Sequence, residues 1–140
     1  MTDKNYLADY AKSFNWAGFF LPKIIYNDCS KLYAFCRVLD DIVDGKSNLK
    51  LRIKRISEIK NILNKTYELD SHDRNTLDQN EYEVIIRDVI ALVENNNVKR
   101  LILNDLIVGV SSDLKPKVYL RSIKDLLVYS YRVAGTVGLM

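Results

Sequence analysis

Tyr33-Ala34-Phe35-Cys36-Arg37-Val38-Leu39-Asp40-Asp41-Ile42-Val43-Asp44 is the stretch that decides the fold. Wound on a helix at about 100° per residue, Tyr33, Arg37, Asp40 and Asp44 fall within about 60° of one another. Leu32, Phe35, Cys36, Val38, Leu39, Ile42 and Val43 fill a broad arc opposite them. One polar seam and one wide apolar face are the pattern of an amphipathic helix that buries one side. Pro22 suits the first position of that helix, where no N–H is needed, and Gly45 stands where a closing glycine belongs.

Working outward, the helical period persists. Tyr6, Leu7, Tyr10, Ala11 and Phe14 predict a helix over residues 4–20, ended by Phe19-Phe20-Leu21-Pro22. Leu49, Ile53, Ile56, Ile59 and Leu63 predict a buried stripe on a helix over 49–63. Glu68 to Asn80 is polar and reads as a loop. Tyr82, Ile85, Ile86, Val89 and Val93 predict a helix over 81–94, broken by Asn95-Asn96-Asn97. A further helix is expected over 98–108, followed by an irregular stretch from Gly109 to Leu120. Ser122 with Asp125 is a capping box opening the last helix. No strand alternation and no repeat is visible. The expected class is all-α, with helices packed on helices in one domain.

Composition narrows the function. The chain has 140 residues, 48% hydrophobic and 28% charged, which fits one globular domain. A net charge of +3 is too mild to imply nucleic acid. No run approaches the roughly 18 apolar residues of a membrane span, and no secretory signal is visible. Cys29 and Cys36 are seven apart, about 10 Å along a helix, too far for a disulfide. A reducing cytoplasm fits them. His72 is the lone histidine, beside Asp73, with no nucleophile at a recognisable spacing.

A charged seam is usually a solvated face, but two penalties mark this one. Acids in the last turn oppose the helix dipole, and Asp40 and Asp44 repel as like charges one turn apart. A helix that carries both costs is suited to holding a cation between its carboxylates. Mg²⁺ fits, because it takes one or two carboxylates, keeps water, and completes its shell with phosphate oxygens. Arg37, one turn earlier, can grip a phosphate oxygen.

The chain resembles the squalene/phytoene synthase family in two ordered segments. The first comprises Lys12-Ser13-Phe14, Leu21-Pro22 and the Tyr33–Asp44 stretch. The second is Tyr129-Ser130-Tyr131-Arg132-Val133-Ala134-Gly135-Thr136-Val137-Gly138. The likeness runs from Ser13 to Met140, and residues 46–108 match only in helical pattern. It implies an isoprenoid synthase-type bundle, here an incomplete N-terminal part of about six helices. It also implies a Mg²⁺-dependent prenyltransferase that joins two prenyl diphosphates head to head. Two geranylgeranyl diphosphates giving phytoene, in carotenoid biosynthesis, are the first expectation; squalene or hydroxysqualene synthesis is the second. By that resemblance Asp40 and Asp44 bind the metal. Arg37, Tyr33 and Tyr129 are catalytic, and Ser13, Phe14, Val133, Val137 and Gly138 meet the substrate.

Two departures stand against the pattern. Ala11 replaces a serine frequent in the family. More seriously, relatives are about twice as long and carry a second aspartate-rich helix facing the first. Asp70, Asp73 and Asp78 lie in the polar loop, and Asp105 and Asp113 have no second carboxylate at helical spacing. The 140 residues are therefore expected to bind Mg²⁺–diphosphate poorly. The apolar end at Leu139-Met140, with no cap, leads to the expectation that the natural chain continues. A non-catalytic assembly or scaffold protein of the same fold is the competing expectation; its relatives would lose the aspartates that this chain keeps. Gly135 and Gly138 are expected either at a close helix contact or in a cavity wall that leaves room for a prenyl tail. Trp16, Phe19 and Phe20 are expected in the core. Residues 46–65 hold seven basic residues and one acid, Glu58, which suits a solvated surface or peripheral contact with anionic lipid at the inner face of a membrane. No oligomeric state is implied.

Overall fold

The computed structural model describes residues 16, 18–69, 73, 81–115 and 119–140. The helix expected over 4–20 falls almost wholly outside them, as do Ser13, Phe14 and His72. Among the described residues the elements are α1 (Lys23–Val43), α2 (Leu49–Glu68), α3 (Glu81–Asn95), α4 (Arg100–Ser112) and α5 (Ile123–Ser130). A π-helical turn (Tyr131–Gly135) and a short α6 (Thr136–Leu139) continue α5. No strand occurs among them.

The apolar arc of α1 does what its period requires. Phe35, Leu39, Ile42 and Val43 are buried, and Leu32, Cys36 and Val38 pack against them. Their partners are Ile56, Ile59 and Leu63 of α2, Ile85, Ile86, Val89, Ile90 and Val93 of α3, and Leu103, Leu106 and Ile107 of α4. Helix α3 packs on both α1 and α2, and α4 packs on α1 and on the π turn and α6. Two buried hydroxyls are satisfied within their own helices. Thr66 Oγ1 donates to Ile62 O and Thr136 Oγ1 to Arg132 O, both at 2.8 Å.

The helix ends follow from named residues. Asn48 caps α2 by accepting from Lys50 N at 2.7 Å. Asn97 closes α3 with φ 54°; Val98 N donates to Val93 O at 2.8 Å and Asn97 N to Glu94 O at 3.2 Å. That is a Schellman closure with asparagine in the left-handed position, and Val98 packs back on the core. Ser122 Oγ accepts from Asp125 N, and Asp125 Oδ2 accepts from Arg121 N, each at 3.1 Å. The expected capping box is present, with the return bond moved back by one residue.

Several expectations need correction. Pro22 is the N-cap, in extended conformation (ψ 143°), so the helix begins at Lys23. Gly45 follows the C-cap as expected but without a positive φ. Leu49 and Ile53 lie exposed, because the buried stripe of α2 is Ile56, Ile59, Leu63 and Thr66. Helix α2 also runs to Glu68, beyond the expected 63. Gly109 is not in an irregular stretch: it is buried inside α4, which continues to Ser112. Trp16, Phe19 and Phe20 are exposed, with Trp16 and Phe20 stacked edge to face at 5.6 Å.

Candidate active site

The acidic seam closes α1, and a second acid, bonded to Tyr129, closes α4. Asp40 and Asp44 stand one turn apart at the C-terminal end of α1, both exposed. Asp113 is the C-cap of α4, which packs on α1. Tyr129, in the last turn of α5, donates its hydroxyl to both oxygens of Asp113, at 3.0 and 3.1 Å. Asp113, which belongs to neither of the two stretches that carried the resemblance, is bonded to Tyr129 of the second and adds a charge that reaches Asp40 of the first.

The electrostatics match this geometry. Partial desolvation, then the charge of Asp44, push the Asp40 carboxyl above the ordinary carboxylate range; Asp41 and Asp113 add to the rise and Arg37 opposes it. Two helix C-termini add their negative dipole ends to the same region. Tyr129 is also raised, by desolvation first and by Asp113 second, so its phenol stays protonated and donating. The Cys36 thiol, one turn before Asp40, is pushed up to about 12 by burial and by Asp40. It is inert packing, and both cysteines are free.

The fit to a divalent cation follows from this crowding. Among the described residues no three His, Cys, Asp or Glu side chains are close enough to hold a metal alone. Asp40 and Asp44 supply two carboxylates in a field that like charges have made favourable to a cation. A hard ion with waters and phosphate oxygens in its remaining positions suits that donor set.

The other expected residues are placed as follows. Arg37 is half-exposed and pairs with Asp41 at 2.8 Å along the helix. Tyr33 lies partly buried one turn before Arg37. Val133 faces α4: its Cγ1 is 3.1 Å from where a Cβ on Gly109 would sit. Val137 packs on the core, and Gly138 faces open space, with nothing within 4 Å of a Cβ built there. The atoms nearest to a Cβ on Gly135 are the ring and Cβ of Tyr131 in its own helix, so the close helix contact belongs to Gly109 instead. The π turn widens the helix directly after Tyr129, at Tyr131–Gly135. Such turns are frequent at functional sites. The residue missed from sequence was Asp113. Ending α4 at 108 made Asp113 a loop acid; on a helix ending at Ser112 it opposes the dipole, the same signal that marked Asp40 and Asp44.

The described residues form an all-α bundle, and the family it matches implies an isoprenoid synthase-type fold, present in part. The squalene/phytoene synthase family model matches residues 7–140, and the chain belongs to that family. It is 28% identical to the 15-cis-phytoene synthase of Paracoccus sp. over all of this chain and 45% of that protein. It is 28% identical to the chloroplastic phytoene synthase of Daucus carota, over 95% of this chain and 31% of that one. With the bifunctional lycopene cyclase/phytoene synthase of Pyrenophora tritici-repentis it shares 30% identity, over 97% of this chain and 24% of the relative. The chain spans less than half the length of these relatives.

Proposed function

We propose that residues 1–140 are the N-terminal part of a single synthase domain that condenses two prenyl diphosphates head to head. The substrates we favour are two geranylgeranyl diphosphates, giving phytoene. The observation that carries this reading is the Tyr129–Asp113 pair, whose charge is felt at Asp40. It supports reading the two segments on which the family resemblance rests as parts of one site. The names of the relatives support the choice of phytoene over squalene.

In this reading Asp40 and Asp44 hold Mg²⁺. When bound, the ion neutralises the diphosphate as it leaves an allylic carbon. The chain's own residues do the rest. Arg37 turns from Asp41 to a phosphate oxygen. That exchange costs little, since the pair is solvent-exposed (41% and 58%) and worth about 0–1 kcal/mol. Tyr129, kept neutral, presents its ring to positive charge while Asp113 fixes its hydroxyl. Tyr33 and Phe14 offer further aromatic faces. Ser13 assists the diphosphate, and Val133, Val137 and Gly138 border the path of the tail, where a dry wall keeps water from the cation.

The test is incubation of the product of the whole reading frame with Mg²⁺ and geranylgeranyl or farnesyl diphosphate, followed by analysis of the lipid extract. C40 hydrocarbon is expected. C30 products would move the assignment to squalene-type synthesis, and no C30 or C40 product at all would refute it. Asp40→Asn and Asp44→Asn should each lower turnover at least a hundredfold, roughly the weight of one lost charge-stabilising group.

A further inference from the structure

An apolar groove of about 440 Å³ opens between the first half of α2 and the end of α4. Leu49, Ile53 and Ser57 form its α2 wall, Ser111 and Leu114 its wall at the end of α4 and just beyond, and Lys60 and Lys115 stand beside them. Leu49, Ile53, Ser57 and Lys60 recur at helical spacing on one side of α2, so the apolar strip and its lysine share a face. Ile53 is 51% exposed although the core of the same helix begins one turn later. Lys50 and Lys54 lie one step round the helix and are exposed.

The surrounding charge is concentrated. Residues 46–60 hold six basic residues and one acid, Glu58, an excess greater than the +3 of the whole chain. Glu58 lies near Lys54 (3.7 Å), and among the described residues no carboxylate pairs with Lys50, Lys60 or Lys115. The exposed apolar residues along α5 have a smaller excess around them, Arg121 and Lys124 against Asp125. Lysines around exposed aliphatic side chains match an anionic bilayer, whose headgroups meet the ammonium groups while Leu49 and Ile53 enter the acyl boundary. We infer that this face of α2, with Lys115 just beyond α4, docks the protein on membranes rich in anionic phospholipid. The inference does not depend on the proposed condensation.

The test is co-sedimentation of the full chain with large vesicles of phosphatidylcholine alone, or with about 30% phosphatidylglycerol added to give a negative surface. Binding is expected to the anionic vesicles only, falling as salt rises to about 0.5 M. The double variant Lys60→Gln/Lys115→Gln should bind about 30-fold more weakly, about fivefold for each lysine. Ile53→Ser should weaken the binding that survives high salt. Lys23→Gln/Lys124→Gln, which removes the same charge elsewhere, should bind as wild type; circular dichroism checks that all variants are folded. Equal loss in the two double variants would overturn the inference, as would equal binding to neutral vesicles or none to either. So would full competition by millimolar inorganic diphosphate, since the lysines would then be reading free phosphate.

Discussion

Replacing Gly109 by alanine should destabilise the fold, although alanine is the better helix former. A Cβ at this position would sit 2.6 Å from Arg132 Cβ, 3.1 Å from the Arg132 carbonyl carbon and 3.1 Å from Val133 Cγ1. The first two cannot swing aside, because they move only with the backbone of the π turn. Restoring a contact of about 3.5 Å requires α4 and the last helix to part by roughly 1 Å. Overpacking of this kind costs about 1–3 kcal/mol, against about 1 kcal/mol gained from alanine's propensity. The net expectation is a loss of up to about 2 kcal/mol, or a melting temperature lower by as much as about 8 °C at this chain length. Gly138→Ala is the internal control. With nothing within 4 Å, it should leave stability unchanged or raise it slightly. Thermal unfolding followed by circular dichroism compares the two directly. If Gly109→Ala melts at or above the wild-type temperature, the close approach of α4 to the π turn is wrong, and with it the path that brings Tyr129 to Asp113.

Asp40→Asn should raise stability at neutral pH while it lowers turnover. The folded-state pKa of Asp40 lies above its unfolded value, so the penalty of ionising it is fully present above the folded pKa. It is relieved as pH falls through that value and gone below the unfolded one. Denaturant titrations of wild type and variant should therefore converge in acid, and a gain that persists there would count against the crowding. Arg52→Met should cost about 1–2 kcal/mol, because the guanidinium donates to Val43 O at 2.5 Å at the end of α1; urea unfolding measures it. Asn97→Gly should be neutral or stabilising, whereas Asn97→Val should cost at least about 1 kcal/mol, since φ is 54° there. Tyr129→Phe removes both bonds to Asp113, and in the active synthase should lower kcat more than it raises KM. The opposite split would make Tyr129 a binding residue only.

What was legible in the sequence was what local period encodes. The apolar arc of α1, the core positions of α3, the asparagine stop at 95–97 and the Ser122 cap all depend on neighbours within two turns. The seam of Tyr33, Arg37, Asp40 and Asp44 could be drawn for the same reason. What could not be read depends on contacts between distant segments. Leu49 and Ile53 continue the apolar period of α2, yet they line an open groove by Leu114 and remain exposed. Gly109 looked like a turn residue because glycine usually breaks helices; here it is tolerated because α4 must pass the backbone of the π turn. Asp113 had no partner at helical spacing because its partner, Tyr129, is sixteen residues away on another helix.

The acids at the end of α1 make sense only with the next helix in view. Alone, α1 has no basic residue in its last turn and carries Asp40, Asp41 and Asp44 against its own dipole. Arg52, from the first turn of α2, supplies the missing cation by binding the Val43 carbonyl. The backbone end of the helix is thus stabilised from the apolar side of the α1–α2 corner. The polar side is left with carboxylates that no cation of their own helix end offsets, apart from Arg37, which pairs with Asp41. That division explains how the fold carries a repulsive seam without unravelling. The corner neutralises the helix terminus and leaves Asp40 and Asp44 exposed, with their charge available to an external ion. An Arg52→Met variant should therefore lose stability without losing affinity for Mg²⁺ at the seam. A variant that lost both together would show that the arginine belongs to the site.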